Sequence, residues 1–238
     1  MNRDYDIKVT PTLLDAYEWM VSQDDEQAIE VAKNDLIAKL NRVQQPYTEA
    51  ADRGTALNEI IDALVFQPRS DDAQRQYFGS VVHDNTYLFD GDLCRNIASL
   101  LTDAGDCQVY GSCIVKTPMG ARVKVYGFAD YVCTTRIVDL KSTTSYNVGK
   151  FRQHWQHICY PLMFAGSGMI AAGDYDHFDY LVVEVTGKNQ PYKGEICIED
   201  YRHTLPTCRQ QLVDFLDNAF LPFVAMHRAE ITDNYYFE

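Results

Sequence analysis

Two aspartates and a lysine, Asp130, Asp139 and Lys141, stand in a stretch that is otherwise mostly apolar and strand-forming. If Thr134 and Thr135 make a two-residue hairpin turn, Cys133 faces Arg136 and Asp130 falls directly across from Asp139. Opposed residues share a sheet face with Cβ atoms about 4.5–5.5 Å apart, where like charges are destabilising. Strand alternation puts Lys141 on that face and turns Val138 and Leu140 toward the other layer. Thr-Thr is a poor sequence for a tight primed turn, so a longer loop or a bulge would shift this register.

Two readings of the pair stay open at this point. Hard divalent cations such as Mg2+ and Mn2+ prefer carboxylate oxygens, and binding one would remove the repulsion. Such an ion lowers the pKa of a bound water and stabilises charge developing on a phosphate. A lysine beside it can orient the attacking water or neutralise the charge that forms. The plainer reading is two solvated aspartates on a half-exposed sheet, bridged by the lysine.

The elements that must position these residues follow from periodicity and punctuation. Thr10 caps a first helix with Pro11 at its first position. A second helix within residues 24–43 carries Ile29, Leu36, Ile37 and Leu40 at helical spacing, and a third within 47–66 carries Ala56, Leu57, Ile60, Ile61 and Leu64. Residues 67–80 read as a polar loop with one helical turn, followed by a strand over Val82–Phe89 and a helix over Asp92–Leu101. Three strands come next, at 107–117, 121–133 and 136–142, the first two joined by a turn at Pro118-Met119-Gly120. A helix over Val148–Phe164, ended by a Gly-Ser-Gly run, leads to strands over Tyr180–Val185 and Lys193–Ile198 and a last helix from Thr204 to Met226. This order predicts an α+β (mixed α/β) fold in one domain over 1–238, with a core at about 50–200, an N-terminal helical region at about 10–45 and a C-terminal helix at about 204–226.

Gly127-x-x-Asp130, then Ile137-Val138-Asp139-Leu140-Lys141, resembles the PD-(D/E)XK nuclease superfamily, specifically its RecB-like exonuclease branch. Gln156 and Tyr160 on the following helix resemble that branch's Gln-x-x-x-Tyr motif, and Arg53-Gly-Thr-Ala-Leu-Asn58-Glu59 resembles its N-terminal helix motif. The resemblance spans about residues 50 to 165. It implies a restriction-endonuclease-like core, a central mixed sheet flanked by helices, with N-terminal helical additions. It also implies metal ligation by Asp130, Asp139 and the Leu140 backbone carbonyl, with Lys141 as the catalytic lysine. Gln156 and Tyr160, one helical turn apart, would project together toward the site and the DNA backbone. Where the family places a metal-binding His this chain has Asn58, a neutral and weaker ligand, with Glu59 beside it as a further carboxylate. Gln108 stands where related nucleases carry a Glu.

The implied activity is Mg2+- or Mn2+-dependent hydrolysis of DNA by an exonuclease of phage or prophage recombination or repair. The implied partners are DNA, further copies of the chain and a single-strand annealing protein. Lys116, Arg122, Lys124, Arg136, Lys150 and Arg152 flank the site in sequence and would supply a basic groove, with Lys124, Lys150 and Arg152 as DNA contacts. Asn58 and Gln108 motivate the rival reading, a nuclease-derived binding or interaction module that lost turnover. A small-molecule hydrolase is weaker, since the Gln156/Tyr160 helix then has no task.

Composition narrows the field further. The 238 residues carry 21 Lys and Arg against 34 Asp and Glu, a formal charge of −13, so any contact with a polyanion needs a local basic patch. No apolar run approaches the length of a membrane span, and the first twenty residues lack a signal peptide's apolar core, which predicts a cytoplasmic protein. Seven scattered cysteines without a CxxC pair read as free thiols. His154 and His157 are spaced as a metal pair but have no third ligand at recognisable spacing, and they read as a polar helix face. No Walker A, Gly-x-Ser-x-Gly or dinucleotide fingerprint is present.

Overall fold

Apolar stripes and capping side chains set the helices of the first third. The computed structural model describes residues 5–169, 177–187 and 189–237. Helix α1 (Pro11–Val21) starts where Thr10 accepts from the Leu13 N–H, α2 (Glu26–Leu40) where Asp25 accepts from Ala28, and α3 (Glu49–Phe66) where Thr48 accepts from Ala51. The predicted stripes are buried except at their ends: Ile29 is exposed and Leu64 half-buried.

Before α1 lies a short strand, β1 (Ile7–Val9), which the sequence reading missed because three residues are too few to show a period. The single strand expected over Val82–Phe89 is a hairpin, β2 (Tyr77–Val82) and β3 (Asn85–Asp90). Its turn uses His83 and Asp84 at φ of 46° and 64°, left-handed positions normally marked by glycine, so the sequence concealed it. Helix α4 (Gly91–Ser99) leads into β4 (Ala104–Lys116), β5 (Arg122–Cys133) and β6 (Ile137–Thr143).

Helix α5 (Gln156–Gly166) begins eight residues later than expected. Gly149 has φ of 83°, which a helix cannot hold, and residues 147–155 form turns instead. At its other end α5 presses on β4, where a Cβ on Gly166 would stand 2.5 Å from that of Cys113. Strands β7 (His177–Thr186) and β8 (Lys193–Arg202) follow. The final helix is broken into α6 (Leu205–Phe215), a π-helical turn (Leu216–Phe220) and α7 (Leu221–Met226). Pro222 has no N–H to continue an α-helical ladder, and the widened turn just before it relieves the clash.

The sheet runs β1-β5-β6-β7-β8, with β4 also on β5; the β1/β5 and β6/β7 pairings are parallel and the others are antiparallel. The fold is therefore α+β, a central mixed sheet with helices on both faces. One core joins Val123, Val125, Ile137, Phe178 and Tyr180 to β1, α1, α2, α5 and α6. The other joins Tyr131, Val138, Leu140, Leu181 and Val183 to α3, α4 and the β2/β3 hairpin. The N-terminal region packs directly on the sheet: Ile7, Val9, Leu13 and Leu14 lie inside the first core.

Candidate active site

Strand β5 has β4 along its whole length on one edge. Its other edge is shared by β1, at Val123–Val125, and β6, at Tyr131 and Val132. Between them lies a notch with no strand partner. The β5/β6 register is the one the Thr134-Thr135 turn predicted, pairing Tyr131 with Val138 and Val132 with Ile137, with Cys133 N–H on the Arg136 carbonyl. The ladder stops one step short of Asp130 and Asp139, and the two carboxylates occupy the divergence.

An irregularity in both strands places Asp130 there. Gln108, facing it on β4, has φ of 50°, and neither residue belongs to the ladder between Cys107↔Tyr131 and Val109↔Ala129. Ala129 lies in the first core and Tyr131 in the second, so the in-out alternation changes phase at Asp130. Gln108 Nε2 donates to Asp130 Oδ1 at 3.0 Å, and the Leu140 N–H donates to Oδ2 at 2.8 Å. A strand residue directs its N–H and C=O to the same edge, so the Leu140 carbonyl also faces the notch. Burial and the neighbouring Asp139 push the Asp130 pKa up to about 7, against the opposing pull of Lys141, the Leu140 N–H and Gln108.

Asp139 is buried at 3 % exposure. Lys141 Nζ lies 2.7 Å from its Oδ2, and Gln156 Nε2 donates to its Oδ1 at 2.6 Å. Burial alone would lower the Lys141 pKa, but Asp139, with Asp130 and Asp15 behind it, outweighs burial and holds it above the ordinary value. The lysine is therefore cationic at neutral pH, which suits charge neutralisation rather than proton abstraction. Its ammonium lies 5.8 Å from the centre of the Tyr180 ring, beside Asp139 on β7.

Gln156 Nε2 also reaches the Tyr160 hydroxyl at 3.2 Å, and that hydroxyl donates to the Phe128 carbonyl in the notch at 2.8 Å. Helix α5 thus links the two diverging strands through side chains where the ladder has ended. Both residues are buried, so they hold Asp139 and Phe128 and do not face outward as the expected DNA contacts. Sequence reasoning missed Asp15. It accepts from the Trp155 N–H at 2.6 Å, lies 3.4 Å from His154 Nδ1, and so anchors the entry to α5. Nothing in its spacing along α1 marks it.

Asn58 sits on α3 between two residues that reach the same strands: Arg53 donates to Ser142 beyond β6 Lys141, and Asp62 accepts from the Tyr131 hydroxyl at 2.7 Å. Its Oδ1 is buried with no hydrogen-bond partner. Glu59, the other tentative ligand, turns away and bonds Ser80 of the β2/β3 hairpin. The basic residues disperse. Lys124 pairs with Ile114 and Lys8, six residues and about 20 Å along β5 from Asp130, and Arg136 is matched to Asp179 at 3.1 Å. Lys150 does lie at the C-terminal end of β6, donating to Thr143 Oγ1 and the Ser145 carbonyl, and Arg152 is exposed on the turn before α5.

His154 and His157 do not converge: His157 bonds the Arg152 carbonyl and His203, and burial pushes its pKa down to about 4. Among the described residues, His177, Asp179 and Asp200 bring three ligand-type atoms together, but Arg136 already pairs with Asp179. The cysteines are free thiols, and burial pushes Cys94, Cys113 and Cys133 up to about 12. No described helix is long and apolar enough to cross a membrane.

The donor set tests the implied metal. Asp130, Asp139 and the Leu140 carbonyl offer only oxygen, as Mg2+ or Mn2+ prefer, and Asn58 on α3 has an unpartnered amide oxygen. The residues fit such an ion.

No protein-family model matches the chain, and no curated protein matches it. Among solved structures, the crystal structure of SSO0001 is similar over 79% of this chain and 85% of that chain, at 10% identity and a TM-score of 0.37. A likeness that low carries no argument about function.

Proposed function

We propose that this chain is a metal-dependent deoxyribonuclease of the PD-(D/E)XK superfamily, with exonucleolytic action of the phage recombination type. The observation that carries the reading is the Asp130/Asp139 pair at the point where β5 and β6 part, with Lys141 on Asp139 and Gln156 behind it. Asp130, Asp139, the Leu140 carbonyl and Asn58 would hold the ion. When bound, Mg2+ or Mn2+ would supply Lewis acidity and a water of lowered pKa. Lys141, cationic and half-buried, neutralises charge developing on the phosphodiester. Gln156 and Tyr160 fix the position of Asp139 relative to β5, so that the carboxylates stay in place as substrate binds.

One observation favours the alternative of a binding module. Gln108 places a neutral amide on Asp130, and Asn58 would add a second neutral side chain, so the site has two carboxylates and no third. Incubation with linear and circular DNA, with and without Mg2+ or Mn2+, separates the readings. Metal-dependent loss of linear DNA alone is the expected result. Cutting of both forms would make the enzyme an endonuclease, and no metal-dependent loss of either would leave the binding module.

A further inference from the structure

The outer face of β4 and β5 carries chemistry that the hydrolytic site does not use. The inward residues Cys113, Val115, Val123, Val125 and Ala129 are buried in the first core, whereas α3 and α4 cover the opposite face only from Tyr131 onward. The rungs before that point are only partly covered: Tyr235 of the C-terminal turn reaches the Tyr126 hydroxyl at 3.5 Å, while Tyr110, Ile114, Lys116, Arg122 and Phe128 are exposed. Tyr110 pairs with Phe128, Ser112 with Tyr126, Ile114 with Lys124 and Lys116 with Arg122, and β1 sets Lys8 beside Lys124. Phe128 is 54% exposed and Tyr110 40%, with their rings 5.4 Å apart and edge-on. Four cations stand on these rungs and no carboxylate does. Asp6, outside the strands, meets Arg122, and the Lys8 and Lys124 ammoniums lie over the rings of Tyr235 and Tyr5. For a chain of charge −13 this is a local reversal of sign.

We infer that this face is a platform for single-stranded nucleic acid that leads into the notch at Asp130. The inference takes its ligand class from the nuclease reading and deepens it. Exposed rings on a sheet offer π-faces to unpaired bases, while a duplex keeps its base faces stacked on one another. Lysines and arginines along the same rungs complement a phosphate backbone. The order is directional: the basic rungs lie at the far end of β5, the aromatic pair follows, then Val109 and Ala129, and beyond them Gln108 bonds Asp130 where the ladder is interrupted. A strand stacked on Phe128 thus lies two residues along β5 from Asp130 and the notch. The platform also gives Lys124 a role in binding although it is remote from the carboxylates.

The test is fluorescence anisotropy of a labelled oligothymidylate, and of the matching duplex, in EDTA so that no hydrolysis intervenes. The wild type should bind the single strand in preference to the duplex. Tyr110→Ala and Phe128→Ala should each weaken binding about tenfold, while Tyr110→Phe and Phe128→Tyr stay close to wild type. Lys124→Ala should reduce the salt slope by nearly one. Alanine variants that melt like the wild type yet bind equally well would overturn the platform, as would preference for duplex. So would concentration-dependent self-association abolished by Phe128→Ala, which would assign the face to a second copy. Hydrolysis with Mn2+ is scored separately. Ring-dependent binding without hydrolysis keeps the platform and removes the nuclease, and hydrolysis with ring-independent binding does the reverse.

Discussion

The Gln156 amide donates to Oδ1 of Asp139 at 2.6 Å, which fastens the helix after β6 to the buried carboxylate on β6. Lys141 holds the other oxygen. Asp139 therefore has a fixed orientation that no backbone ladder with β5 supplies.

Gln156→Leu tests that orientation. The Gln156 Oε1 is buried without a partner, so the variant loses little stability from that atom. Groups that orient a ligand typically matter by roughly 10–100-fold in metal affinity or activity. We expect a loss of that size in Mn2+ affinity by titration calorimetry, with melting lowered because the buried Asp139 Oδ1 loses its donor. Unchanged affinity would make the bond incidental.

Lys141→Ala should separate binding from chemistry. Removing a positioned charge of this kind lowers turnover by roughly 10²–10³-fold. Asp139 loses its cationic neighbour, so Mn2+ binding should be retained or tightened. Parallel calorimetry and hydrolysis assays check this, and equal losses in both would mean that the lysine acts only through the fold.

The pH dependence follows from Asp130. Its pKa, near 3.8 when unperturbed, is pushed up to about 7 by burial and by Asp139. Between these values the folded state holds more protons than the unfolded one, so this group makes metal-free stability fall as pH rises from about 4 to about 7. Asp130→Asn should flatten that slope in thermal melts in EDTA and be the more stable protein above pH 7. Mn2+ affinity of the wild type should rise over the same upper range, since the ion competes with the proton. A wild-type melting profile identical to that of the variant would contradict the assigned cause.

Asn58 is the side chain to vary for the strength of ion binding. Its Oδ1 is buried and unpartnered, so Asn58→Ala should leave stability unchanged or improved while lowering activity with both metals. Asn58→His should raise Mn2+ affinity, because Mn2+ gains more than Mg2+ from a nitrogen ligand. Activity confined to the His variant would favour the binding module.

Much of this was legible in the sequence, and what was not has physical reasons. Short-range periodicity announced the β5/β6 register and the helical pair Gln156 and Tyr160, because alternation and the helical turn act within a few residues. The notch did not show, since β1 is three residues long and its parallel pairing spans more than a hundred positions. Gln108 read as a missing acid, and only its left-handed backbone reveals that it shapes the strand around Asp130. Asp15 and the direction of Glu59 depend on tertiary packing that single-residue spacing does not encode. The dispersal of Lys124 and Arg136 has the same origin: neighbours along a strand lie about 3.3 Å apart, so six positions carry a charge out of the site.

Asp139→Asn tests the hydrolytic site most directly, since it keeps shape and volume at a buried carboxylate while removing its charge. Wild type and variant are compared for Mn2+-dependent release of label from linear DNA, with melting as the check on folding. Metal-dependent release by the wild type is expected, with a loss of about 10²-fold or more in a variant that remains folded. Equal release by both proteins would contradict this assignment.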